Sequence, residues 1–257
     1  MTVEILALNL QHASASRLER QVQWLTDQDV ADVLILSEVA SGSRSDHLVH
    51  LLETSGYATT RNDHTSAGNQ VAVALRRATT DGPVTVLHCT ARFVHIATRI
   101  GNAQLEVVGL YVPSRGPATE RNVAKRAFQQ EITAALPAIA DRARERRHQI
   151  VVAGDLNVVE PDHVPHHRLF GEWEYDFYRS FSDRGNLCDA FRSANGAKID
   201  HSWFGRRSGL GYRFDHVFVS DGLSVVDCHY DHNPRQLGLS DHSAMRAVVR
   251  FSGAEHG

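Results

Sequence analysis

The run 151–157 (VVAGDLN) constrains this chain more than any other stretch. It begins as an apolar strand and stops in Gly154, Asp155 and Asn157. About a third of the chain later, the run 239–242 (LSDH) sets Ser240, Asp241 and His242 just ahead of the apolar stretch 244–251. Strand ends are rigid, and a rigid scaffold can hold chemical groups to sub-ångström tolerance. A third run, 212–219 (YRFDHVFV), carries Asp215 inside a predicted strand, where a bare carboxylate is costly without a partner. Together the runs predict a hydrolytic site assembled from carboxylates, amides and a histidine.

The 257 residues suit one large domain or two small ones. At 42% hydrophobic and 22% charged, the chain has ample material for a core. No run approaches the ~18 apolar residues of a membrane helix, so no membrane partner is expected. The opening MTVEILALNL carries Glu4 and no basic segment, and reads as a first strand rather than a signal peptide. Three well-separated cysteines, Cys89, Cys188 and Cys228, argue against a disulfide framework and for a reducing cytoplasm. A formal net charge of −3 does not advertise nucleic-acid binding, although some of the 16 histidines titrate near neutrality and would favour a polyanion at mildly acid pH.

Pattern and turn signals predict strands at 3–9, 33–37, 57–61, 70–76, 84–89, 93–100 and 104–111. Further strands are predicted at 150–154, 212–219, 223–230 and 245–251. Ser16 is a candidate cap for a helix with Leu18, Val22 and Leu25 on one face, and Gly56 would stop a second helix carrying Leu48, Leu51 and Leu52. Thr119 opens a long helix with Ala124, Phe128, Ile132 and Ile139 on one side and an expected kink at Pro137. Residues 158–186 read as mostly loop with a helix around 175–182. No linker or repeat divides the chain. The expectation is one α/β domain over 1–252, with two mixed sheets packed face to face and helices outside, followed by a frayed tail at 253–257.

Phosphoester cleavage needs oxygen ligands for a hard cation, a base for water, and donors for the charge that builds on phosphoryl oxygens. Glu38 directly follows the strand 33–37 and can hold Mg²⁺ at the sheet rim; the competing reading is a solvated loop acid. Asn9 ends the first strand and would face Glu38 if the two strands are neighbours; by itself it is a common turn former. Asp155 and Asn157 would share one face if strand geometry persists, one acting on water and the other on a phosphate oxygen. The same residues also suit an Asx turn. Asp241 and His242 diverge in an extended segment and converge only if the backbone turns. Asp215 is a natural partner for His242, orienting the ring and favouring its charged form, though a purely structural pair has the same appearance. Tyr111, stiffened by Pro113, can donate its phenol to a phosphate or serve as a core tyrosine.

These pieces occur in one order: Asn9 in ALNLQ, Glu38 in ILSEV, Asn69 and Val71 in GNQVAV, Tyr111 in LYVPS, then GDLN (154–157), LCDAFR (187–192), SWF (202–204), RFDH (213–216) and SDH (240–242). The series resembles the endonuclease/exonuclease/phosphatase superfamily, most of all its exonuclease III and apurinic endonuclease branch, from Val3 to Phe251. The resemblance implies a four-layered α/β sandwich of the DNase-I-like kind and a Mg²⁺- or Mn²⁺-dependent phosphodiesterase. It implies that Glu38 is the main metal ligand, helped by Asn9 and Asp241, and that Asp155 positions or deprotonates water. Asn157 and Tyr111 would contact the phosphate, and His242 paired with Asp215 would stabilise the pentavalent phosphorus. Arg115, Trp203 and Arg213 are the expected substrate contacts. The chain departs from the family's usual W-N before Asn9, has Tyr212 where the repair branch places an apolar or Trp residue, and is short between Phe204 and Arg213. The chemistry therefore transfers, whereas a DNA-lesion specificity does not.

Other signals count for less. Pro165 breaks the helical spacing that HVPHH (163–167) would need for zinc. The run RARERR (142–147) suits a solvated helix end. Arg206 and Arg207 flank the expected site and would give salt-dependent polyanion binding. Three readings follow: a DNA endo- or exonuclease acting as a monomer, the same chemistry on a small sugar, nucleotide or lipid phosphoester, and a non-catalytic binding domain. The intact acidic and histidine set disfavours the last.

Overall fold

The computed structural model describes residues 1–27, 30–62, 68–76, 78–83 as backbone, 90–116 and 119–252. Along β1 (Thr2–Asn9), Val3, Ile5 and Ala7 enter one hydrophobic core while Leu6 and Leu8 enter another. Such a strand is buried on both faces, so the sheet that contains it needs a layer on each side. The chain continues through α1 (Ala15–Asp27), β2 (Val33–Val39), α2 (Ser43–Thr54), β3 (Tyr57–Arg61), β4 (Gln70–Arg76) and β5 (Ala78–Pro83). Next come β6 (Phe93–Ile100), β7 (Ala103–Tyr111), α3 (Thr119–Arg146), β8 (Gln149–Asp155), α4 (Glu172–Asp183), β9 (Leu187–Asp189) and α5 (Ala190–Asn195). A small ribbon of β10 (Trp203–Phe204) and β11 (Gly211–Tyr212) precedes β12 (Asp215–Ser220), β13 (Leu223–Asp231), α6 (Asn233–Gln236) and β14 (Ala244–Phe251).

Two mixed six-stranded sheets result, ordered β13-β14-β1-β2-β4-β3 and β5-β6-β7-β8-β12-β9. The central core lies between them and draws Ile5, Ile35 and Val73 from the first and Val107, Val151 and Val217 from the second. A second core packs Phe128, Ile132 and Ile139 of α3 and Phe181 of α4 on the outer face of one sheet. A third packs Leu18, Val22, Leu25 and Leu48 of α1 and α2 on the other. Three cores separate four layers, as expected. Gly109 lets the sheets close, since a Cβ there would stand 2.8 Å from Val71 Cγ1. Parallel pairing of β1 with β2 and of β7 with β8 brings the ends at Asn9, Val39, Tyr111 and Asp155 to one edge, where antiparallel β12 begins at Asp215.

Several expectations change. The first helix starts at Ala15, and the residue whose hydroxyl meets a first-turn N–H is Ser14, not Ser16. Helix α3 continues through Pro137, which lies on its solvent face, as one element over Thr119–Arg146; this leaves the expected kink untouched. Ala124 is exposed and Lys125 is buried in its place. The run 212–219 is not one strand: Tyr212 belongs to the ribbon and β12 starts at Asp215. The predicted strand 84–89 and the tail 253–257 lie outside the described residues, as does Cys89.

The break at 213–214 has a physical cause. Arg213 is fully buried, its Nη2 donating to Glu160 Oε2 and Asp189 Oδ2 at 2.7 Å each and its Nε to Glu160 Oε1 at 3.1 Å. Arg192 Nε also donates to Glu160, at 2.5 Å. The cluster fastens the loop after β8, the β9–α5 corner and the entry to β12, so Arg213 serves the fold and does not reach substrate. Burial alone would raise the Glu160 carboxyl; the bonds from Arg192 and the charge of Arg213 outweigh it and hold the group at about 2. Arg213→Met removes the cation shared by Glu160 and Asp189; Glu160 keeps Arg192 and Asp189 keeps the Tyr178 hydroxyl, so the expected loss in urea unfolding is about 3 kcal/mol, the low end for breaking a buried ion pair. The contribution of ionised Glu160 is complete above its ordinary value of 4.5 and is lost as pH falls toward about 2. Wild-type stability should therefore drop across that acid window, and the drop should shrink in Glu160→Gln.

Candidate active site

Asp155 is the last residue of β8 and is 1% exposed. Gly154 makes its approach possible: its φ is 138°, and a Cβ there would fall 2.0 Å from the Leu110 carbonyl oxygen. Asp155 Oδ1 accepts from the Asn157 backbone N–H at 2.8 Å, while Oδ2 accepts from Asn157 Nδ2 at 3.3 Å and from Asn9 Nδ2 at 2.9 Å. Asn157 has φ 49°, so it reaches the site through an Asx turn and not through strand alternation. Its Nδ2 also donates to Val112 O at 2.9 Å.

Asn9 thus faces Asp155 rather than Glu38. Strands β1 and β2 are neighbours, but the β2–β4 register shifts between Leu36 and Val39 and Glu38 sits at φ 50°. That conformation re-aims the carboxylate, which accepts the Tyr111 phenol at 2.7 Å on Oε1. Tyr111 in turn accepts from Asn69 Nδ2 at 3.0 Å, and the Arg92 guanidinium lies 4.6 Å from its ring centre. Burial, with the charges of Asp155 and Glu38, pushes the phenol well above its ordinary value and keeps it a neutral donor. Asn69 belongs to the site; its place just ahead of a strand in the ordered motif series was the only sequence signal for it.

His242 Nδ1 lies 2.7 Å from Asp215 Oδ2, with side chains 7% and 1% exposed. Its Nε2 stands 4.0 Å from Asp155 Oδ2, beyond a direct hydrogen bond. Burial opposes charge on the ring, but the Asp215 charge and hydrogen bond win and hold His242 well above its ordinary value. Asp155 moves up through burial and the neighbouring Asp215 charge. Asp241 diverges from His242, its Oδ2 accepting Trp203 Nε1 at 3.1 Å with Arg206 Nη2 3.5 Å away.

Glu38, Asp155, Asn157, Asp241 and His242 line one cavity of about 440 Å³. Its lining also includes an aromatic wall of Phe170, Trp203, Tyr212 and Phe214, with Tyr212 and Phe214 stacked at 5.0 Å. Arg115 lines the rim and pairs with Glu174 Oε2 at 2.5 Å. Behind it, buried Lys125 donates to Asn157 O at 2.8 Å and Glu174 Oε1 at 2.6 Å, tying α3 and α4 to the Asx turn. Neither Lys125 nor Glu174 stood out in the sequence, because each reads as a solvent-facing helix residue. His163 and His167 lie behind the aromatic wall. The Arg213 N–H donates to His163 Nε2 at 3.1 Å, and His167 stacks on Tyr212 at 3.9 Å.

The donor set fits a hard cation. Glu38, Asp155 and Asp241 line the cavity, and Asp215 Oδ1 is buried without a hydrogen-bond partner among the described residues. Asn9 Oδ1 accepts the Gln11 N–H, and among the described residues nothing else reaches its second lone pair. Among the described residues, Asp155, Asp215 and His242 also bring three ligand atoms within 4.8 Å of one another.

Residues 6–242 match a profile described as the Endonuclease/Exonuclease/phosphatase family. No curated protein matches the chain by sequence. Among solved structures, an AP endonuclease from Archaeoglobus fulgidus is 22% identical with a TM-score of 0.79, covering 98% of this chain and 100% of that one. The 3′ phosphatase NExo from Neisseria, bound to a product DNA hairpin, is 20% identical with a TM-score of 0.77 over 98% and 100% of the two chains. TDP2 from C. elegans is 15% identical with a TM-score of 0.71 over 98% and 76%. At these identities the likeness establishes the fold.

Lys125→Met removes the cation beneath the Asx turn. Glu174 keeps Arg115 and the Gly171 N–H, so the expected loss is about 3 kcal/mol, the low end for breaking a buried ion pair. Urea unfolding measures it, and a change under about 1 kcal/mol would show that the turn holds itself.

Proposed function

The chain belongs to the endonuclease/exonuclease/phosphatase family of phosphoester-hydrolysing, generally metal-dependent enzymes, and we propose that its own substrate is DNA, cut at a phosphodiester bond by a single catalytic domain working as a monomer. The observation that carries this reading is the opposition of Asp155 and the His242–Asp215 pair across a 4.0 Å gap at the base of an aromatic-walled cleft. Aromatic faces accept a base or sugar without reading sequence, and similar structures include an AP endonuclease and a 3′ phosphatase bound to a DNA hairpin.

Asp155 accepts the proton of the attacking water while Asn9 and Asn157 hold Oδ2 in place. The water oxygen bonds to phosphorus as the bond to the leaving oxygen breaks, and that oxygen departs as an alkoxide that takes a proton from solvent water. The imidazolium of His242, kept charged by Asp215, donates from Nε2 to a non-bridging oxygen. Tyr111 and Asn157 act through the acids they hold and not on the phosphate, because their protons go to Glu38 Oε1, Val112 O and Asp155 Oδ2. Glu38, with Asn9 and Asp241, would hold Mg²⁺ or Mn²⁺, which when bound supplies charge neutralisation at the phosphate. Arg115 and Trp203 meet the flanking strand.

The test incubates the protein with Mg²⁺ or Mn²⁺ and nicked duplex DNA, an abasic-site oligonucleotide or a chromogenic phosphodiester. Cleavage of DNA is expected, with at least a ~10²-fold loss of kcat in His242→Asn. Glu38→Ala should weaken metal activation, seen as a higher Mn²⁺ midpoint in calorimetric titration. Turnover of the small diester alone would transfer the assignment to a small phosphoester. Equal activity of wild type and both variants would overturn the site.

A further inference from the structure

We propose that Gln21, acting with Ser240, is a positioning residue for this centre: the two side chains clasp the end of β1 to the 239–242 turn and set the gap between Asp155 and His242. The inference rests on the functional reading above.

Gln21 lies in α1, whose other buried residues, Leu18, Val22 and Leu25, are apolar. A glutamine amide in that setting is costly unless it is paired. Its Nε2 donates to Leu10 O at 3.0 Å and to Leu239 O at 2.7 Å. Both amide protons are thereby spent on carbonyls from opposite ends of the chain. Ser240 repeats the link: its Oγ donates to Asn9 O at 2.6 Å and accepts the His242 backbone N–H at 3.1 Å.

The ladder between β1 and β14 ends at Ala7 and Met245. Beyond it, these side-chain bonds join the two segments. Each segment carries one group aimed at Asp155 Oδ2, with Asn9 Nδ2 at 2.9 Å and His242 Nε2 at 4.0 Å. The shorter distance is a hydrogen bond and the longer one is not, so the clasp fixes the width of the space where chemistry occurs. A displacement near 1 Å in such a gap can cost about 10²-fold in rate.

Gln21→Met keeps side-chain length and removes both donated protons. Relative to wild type, kcat on the best substrate should fall about 10- to 100-fold. KM should stay within about threefold, because the aromatic wall is untouched. The His242 ring N–H resonance should shift in proton NMR of the metal-free protein, and unfolding in urea should remain cooperative. Ser240→Ala, a smaller change, should move kcat and the resonance in the same direction, and it replaces Gln21→Met if that variant does not fold. An unchanged kcat, or a rise in KM alone, would overturn the clasp. If wild type turns over no phosphoester, the functional reading fails. The resonance still decides the clasp, and an unshifted signal in both variants refutes it.

Discussion

Asp155 and Asp215 stand directly opposite each other across the β8–β12 ladder, each 1% exposed. Like charges at opposed positions repel, and buried carboxylates without partners are expensive. The surroundings answer both costs. His242 lies between the two acids, bonded to one and facing the other, while Asn9 and Asn157 donate to Asp155. The edge of the sandwich therefore gathers excess negative charge around one histidine.

The strand ends were legible in the sequence because hydrophobic runs report burial and polar residues at their ends report an edge. Asn9, Glu38, Tyr111, Asp155 and His242 all follow from that signal, as do the two stacked sheets. What stayed hidden breaks the same rule. Arg213, Lys125, Glu160 and Glu174 are buried charges, and a pattern of apolar residues assigns such side chains to solvent. Their partners are remote in sequence, so no local window reveals the pairing. The turn at Asn157 and the re-aimed Glu38 depend on backbone conformations that composition does not specify.

Those conformations gather in one place. Gln11, Glu38 and Asn157 all have φ near 50°, and all three line the cleft. A non-glycine residue in this region costs on the order of 1 kcal/mol, and it persists only where neighbours over-determine it. Here the neighbours are the paired strands below, the hydrogen bonds that Tyr111 and Lys125 donate, and the Asn157 N–H bond that Asp155 accepts. The sandwich supplies stability in its three cores, and the edge spends part of it on geometry.

The ribbon of β10 and β11 joins the aromatic wall to His242 through a bridge between Trp203 and His242. Ser202 anchors its base, receiving the Phe214 and Asp215 N–H groups on its hydroxyl and the Ser243 N–H on its carbonyl. The tip at 205–210 is solvent-facing, closed on itself by Gly205–Leu210 and Gly209–Gly205 bonds. Lengthening that tip would reshape what the cleft admits while leaving the Asp155–His242–Asp215 arrangement intact. Divergence in ligand preference can thus proceed by insertion at the hairpin, with the reaction centre inherited unaltered.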